Sequence, residues 1–186
     1  MEKKIIGFGK CVIRNKPIRK VGIDTSIIFP WIQNEKYLGE YRPAFCRNGD
    51  KLFVSYKIFG ELMGLLIEEE NKSAEDIKRI IFNFLRRNKI SLLKKRDINQ
   101  NELNTTFFNL KERFKEIKES DLLIISIFYC FNIDCIFSTD EEHFEGPCKF
   151  LGINYERHFE IETGSEQDVR KMLRNLYPKR YKKWKK

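Results

Sequence analysis

Alanine is almost missing from this chain: Ala44 and Ala74 are the only two among 186 residues. With so many Ile and Lys, that scarcity speaks of the genome's base composition more than of any activity. Long apolar runs are missing too. The longest, Leu122 to Phe131, is broken by Ser126 and is about half the ~20 residues a membrane span needs. Behind Lys3 and Lys4 there is neither a clean apolar segment nor a small-residue cleavage site, so no export signal is read there. The five cysteines fall in no paired zinc spacing, and a chain this long needs no disulfide staples. Free thiols point to a reducing cytoplasm. Cys130 and Cys135, placed on an expected helix and an expected strand, read as core thiols. Gly7-Phe8-Gly9-Lys10 lacks the third glycine and the G-K-[ST] ending of a phosphate loop, which argues against nucleotide binding. Histidine occurs twice, as the isolated His143 and His158, which favours surface or structural roles, although His143 sits near Asp140 and could touch a phosphate.

What remains suits a soluble domain with extensions. Hydrophobic residues make up 41% and charged residues 34% of a 22.4 kDa chain. The net charge of +9 is concentrated at the ends. Residues 1–20 hold seven bases and one acid, and residues 177–186 hold six bases and no acid, so the stretch between carries a formal −3. In the tail, Lys179, Arg180, Lys182, Lys183, Lys185 and Lys186 are interleaved with Tyr177, Tyr181 and Trp184. Cations alternating with aromatic rings suit a polyanion such as RNA. A solvated, solubilising tail accounts for the same charges.

The hydrophobic pattern alternates between short strands and amphipathic helices. Lys20–Ile28 reads as a buried strand closed by Pro30, and Leu52–Val54 as a second. From Tyr56 the apolar residues recur every three to four positions, and Ser73 with Asp76 forms a capping box ahead of the next helix. Ile90–Leu93 reads as a strand, Asn99–Asn104 as a polar loop and Thr106–Lys118 as a helix. Ser120 is expected to cap an apolar helix over Asp121–Phe131. Strands are expected at Ile133–Phe137 and Lys149–Ile153, and a short helix at Asp168–Leu176. Such alternation means a mainly parallel sheet covered by helices on both faces, with ligands at the carboxyl ends of the strands.

Those strand ends carry acids. Asp24 sits inside or at the end of the first strand, Asp140 just past Ile133–Phe137, and Asp121 at the first turn of the preceding helix. Glu61 lies on the helix after the second strand, next to Gly60. A carboxylate near a core is unfavourable unless it is paired or metal-bound, and converging carboxylates need a compensating cation. Hard oxygen donors point to Mg²⁺ or Mn²⁺. Taken singly, Asp121 could serve the helix dipole, Asp140 a turn, and Glu61 a solvated helix face.

In order, Ile23-Asp24-Thr25-Ser26, Gly60-Glu61-Leu62, Ser120-Asp121-Leu122 and Ser138-Thr139-Asp140 with Phe144 behind resemble the pattern of PIN-domain nucleases. The largest group of that family is the VapC-like toxins of toxin–antitoxin pairs. The resemblance covers residues 20–155, leaving a basic N-terminal extension, 1–19, and a C-terminal extension with the basic tail, 156–186. It implies a three-layer α/β/α fold and metal-dependent hydrolysis of RNA phosphodiester bonds. Asp24, Glu61, Asp121 and Asp140 carry over as the metal-site carboxylates, with Ser138 in support and Glu142 as an outer-sphere helper. Glu119 or Glu102 could replace Glu61 in space. The resemblance also implies a small antitoxin-like partner and a homodimer, with no membrane. The rival reading is a catalytically degenerate PIN-like module that binds RNA or ribosomes.

Overall fold

The computed structural model describes residues 18–33, 46–47 and 49–158. The helix expected at Asp168–Leu176 and the six tail cations lie outside the described residues. Five short strands, β1 (Lys20–Ile23), β2 (Lys51–Ser55), β3 (Ile90–Leu93), β4 (Cys135–Ser138) and β5 (Asn154–Arg157), form one sheet. All run parallel, in the order β3-β2-β1-β4-β5. Helices fill the connections: α1 (Thr25–Gln33), α2 (Tyr56–Glu70), α3 (Ala74–Arg87), α4 (Gln100–Arg113), α5 (Glu119–Cys130) and α6 (Glu141–Leu151). The chain first steps from β1 out to β3, then returns past β1 to β4 and β5. With right-handed crossovers this reversal puts α1–α3 on one face and α4–α6 on the other. The helix contacts divide the same way, α1 with α2 and α2 with α3, α4 with α5 and α5 with α6.

Both faces of the sheet are covered, so the inner strands are largely apolar rather than alternating, whereas the edge strand β5, Asn154–Arg157, is polar. Val21, Ile23, Leu52, Val54, Ile136 and Phe137 are all buried. Packing between β1 and α5 is tight at Gly22, where an added Cβ would lie 2.8 Å from the Phe128 ring. Only glycine lets the helix sit so close. Because α5 feeds a strand parallel to β1, it runs back along the sheet and brings its first turn to the carboxyl edge. At the opposite edge, Arg19 is clamped by Asp50 (Nη2–Oδ2 2.8 Å) and by Glu156, tying β1 to the lead of β2 and to β5. Among the described residues no helix is long and apolar enough to cross a membrane.

Several expected elements appear in place: β2, α2 from Tyr56, β3 over Ile90–Leu93, and α3 with Ser73 as its N-cap, accepting from Asp76 N at 3.2 Å. Three differ. The strand expected over Lys20–Ile28 stops at Ile23, and Thr25–Gln33 is helical. Asp24 holds the N-cap position: its carbonyl accepts from Ile27 and Ile28 N, both at 3.1 Å. Pro30 lies inside α1, where its missing N–H deprives only the Ser26 carbonyl of a helical bond. Next, the expected loop Asn99–Asn104 opens α4, because the Asn99 side chain caps Asn101 N and Glu102 N at 3.1 and 3.3 Å. Finally, Lys149–Leu151 ends α6 rather than starting a strand, Gly152 closes the helix at φ 73°, and β5 begins at Asn154. Ser120 lies in the first turn of α5, whose N-cap is Lys118.

Candidate metal centre

The strand order reverses between β1 and β4, and a reversal of this kind opens a crevice beyond the carboxyl ends of the two strands. The helices α1, α5 and α6 begin beside this crevice, so their N-terminal dipoles favour negative charge there.

Asp24 follows β1 and is 7% exposed. Its N–H donates to the Phe137 carbonyl at 2.9 Å, locking it to β4. Two hydroxyls donate to its Oδ2: Ser26 Oγ at 2.7 Å and Ser138 Oγ at 2.9 Å. Each hydroxyl also accepts a backbone N–H from the β4–α6 turn, Ser26 from Thr139 at 3.1 Å and Ser138 from Asp140 at 3.0 Å. One network therefore sets both the aspartate and the turn. Burial pushes the Asp24 carboxyl above its ordinary range, and the two hydroxyl bonds oppose that shift only in part.

Asp140 is the N-cap of α6, its Oδ1 accepting from His143 N at 3.1 Å. Three residues on, the His143 ring turns back, so that Nδ1 lies 2.9 Å from Asp140 Oδ2 and 2.9 Å from Asp121 Oδ2. Asp121 arrives in the first turn of α5, where Ser120 Oγ donates to its Oδ1 at 3.3 Å. Asp121, Asp140 and His143 thus offer two carboxylate oxygens and one imidazole nitrogen, all within 4.8 Å of one another. Two carboxylate oxygens and a nitrogen at this spacing fit a small divalent cation.

Glu61 and Asp24 stand outside that triad. Glu61 Oε2 accepts from Thr25 Oγ1 at 2.5 Å, next in sequence to Asp24, while its Oε1 faces Lys57 Nζ at 3.6 Å. Asp24 reaches Asp140 through Ser138. Hydrogen bonds, with Thr25 and Asp24 adjacent in sequence, connect the four acids of the sequence pattern in the order Glu61–Thr25–Asp24–Ser138–Asp140–His143–Asp121, drawn from α2, the β1–α1 junction, β4, the start of α6 and α5. Glu142 is exposed in the first turn of α6. Glu119 pairs with Lys111 at 2.6 Å, and Glu102 is exposed at the start of α4. Nothing in composition singled out His143 as the bridge. The usable signal was its place at the third residue of a helix that opens on Asp140.

Three of the described cysteines are packing residues: burial pushes the Cys135 and Cys148 thiols up to about 12 and that of Cys130 to about 11. His158 is buried and packs on the Phe137 ring, with centroids 4.4 Å apart.

No family model and no curated protein matches the chain. Solved structures do. The VapBC-1 structure from nontypeable Haemophilus influenzae superposes with a TM-score of 0.55 at 15% identity, over 74% of this chain and 97% of that one. VapBC2 from Rickettsia felis, solved bound to a DNA fragment from their promoter, gives 0.54 at 15% identity, over 75% and 98%. Likeness at this identity shows a shared fold.

Proposed function

We propose that this chain is a PIN-type endoribonuclease that hydrolyses RNA phosphodiester bonds with Mg²⁺ or Mn²⁺. The observation that carries the reading is the convergence of Asp121, Asp140 and, through Ser138, Asp24 at the β1–β4 crevice. The likeness to VapBC structures adds fold-level analogy. Asp121, Asp140, Asp24 and Glu61 would hold the ion. A divalent ion bound there supplies charge neutralisation at the phosphate and a more acidic attacking water.

The protein's own groups do the rest. Ser26 and Ser138 fix the Asp24 carboxylate, so no rotamer has to be ordered during the reaction. The N-termini of α1, α5 and α6 present positive dipole ends to a phosphate oxygen. Glu142, exposed at the rim, is placed to act in the outer sphere. Water attacking phosphorus in line with the P–O3′ bond forms the new P–O bond as the 3′-oxygen leaves and takes a proton, giving a 5′-phosphate and a 3′-hydroxyl. The six tail cations draw RNA to an edge that repels it until metal is bound. By the same analogy, a small antitoxin-like protein covers the crevice, two copies of the chain pair, and the protein works in the cytoplasm.

The test compares wild type with Asp24→Asn and Asp121→Asn on single-stranded RNA in Mn²⁺. Each substitution lowers cleavage at least ~100-fold, and EDTA abolishes it. Cleavage unchanged in both variants, or indifferent to EDTA, rejects the proposal. Wild-type RNA binding without any cleavage returns the degenerate binding module.

A further inference from the structure

The geometry points to His143 as a direct metal ligand that makes this site select Mn²⁺ over Mg²⁺. The inference rests on the metal-dependent reading above and concerns which ion the site takes. His143 Nδ1 lies 2.9 Å from each of two oxygens, Asp121 Oδ2 and Asp140 Oδ2. In an octahedral shell with bonds of ~2.1 Å, neighbouring donors lie about 3.0 Å apart, so both spacings match octahedral edges. The ring is held there by the chain. His143 N is fixed by Asp140 Oδ1 at 3.1 Å, and Phe144, Pro147 and Cys148 anchor the same helix in the core.

The three side chains remain partly open, at 24% for His143, 18% for Asp121 and 41% for Asp140, so an ion can enter and keep room for water and substrate. Mg²⁺ prefers an all-oxygen shell, whereas affinity for an imidazole nitrogen rises along the transition series from Mn²⁺. An oxygen–oxygen–nitrogen face is therefore a selectivity device. The same 2.9 Å spacings also suit an Nδ1–H shared between two carboxylates, and the experiment separates the two roles.

Full-length protein stripped of metal is titrated with Mn²⁺ and with Mg²⁺ by calorimetry, as wild type and as His143→Gln. Mn²⁺-loaded samples are examined by electron spin-echo modulation for ¹⁴N coupling. Wild type is expected to bind Mn²⁺ at least ~10-fold more tightly than Mg²⁺ and to show ¹⁴N modulation. In H143Q the Mn²⁺ affinity falls ~10-fold or more, Mg²⁺ affinity changes less than about twofold, and the modulation disappears. Metal-free melting verifies that H143Q is folded; His143→Asn takes its place if it is not. Bound Mn²⁺ without ¹⁴N coupling, or an unchanged Mn²⁺/Mg²⁺ ratio, overturns the ligand role and leaves the nuclease reading standing. Failure of wild type to bind either ion overturns both.

Discussion

At the scale of single residues, Asp24 sets stability against function. Its folded pKa lies above the ordinary 3.8 because burial disfavours the ionised form. The folded protein therefore holds that proton more tightly than the unfolded chain does. The stability this provides is fully present below about 3.8 and is lost as pH rises through the folded value. Asparagine is neutral at every pH and keeps an oxygen for the Ser26 and Ser138 hydroxyls. In EDTA, Asp24→Asn should melt above wild type at pH 7, and the gap should close toward pH 4. Calorimetric scans across that range check it, and an equal or lower melting temperature at pH 7 contradicts it. An acid in an apolar β-branched run could be recognised from sequence because that placement is unfavourable without a purpose. His143 could not, since its role depends on a turn that folds it back between Asp121 and Asp140.

At the scale of elements, the errors and successes have physical causes. α3 was legible because its cap, Ser73 with Asp76, and its apolar stripe, Ile77, Ile81, Phe84 and Leu85, agree on one helix. α1 was not, because Ile27, Ile28 and Phe29 are good strand formers and Pro30 looks like a terminator. There the cap at Asp24 and the burial of Ile27, Ile28 and Trp31 on one side override local preference. α6 hides in the same way behind an internal Gly146-Pro147. The packing of α5 on β1 gives a prediction at this level. Gly22→Ala puts a methyl group 2.8 Å from the Phe128 ring and should destabilise the fold by roughly 1–3 kcal/mol in urea titration. Because α5 also carries Asp121, metal affinity should fall with it. A variant as stable as wild type would show that the ring yields freely.

At the scale of the whole molecule, the site exists because of topology. Asp24 and Asp140 lie over a hundred residues apart, yet they come to one edge, joined through Ser138, because β4 pairs with β1 after the chain reverses across the sheet. The alternation of strands and helices foretold a parallel sheet and the edge that matters; which strands are neighbours did not follow from periodicity. Charge is arranged on the same scale, with cations gathered at the ends of the sequence and acids at the carboxyl edge of the sheet. The central claim, that these acids share a divalent ion, is tested most directly by diffraction from crystals soaked in Mn²⁺, using the metal's anomalous signal. A peak within bonding distance of Asp121 and Asp140, on the side facing Asp24, is the predicted result. No peak at that crevice under saturating Mn²⁺, or a peak only elsewhere on the surface, would contradict it.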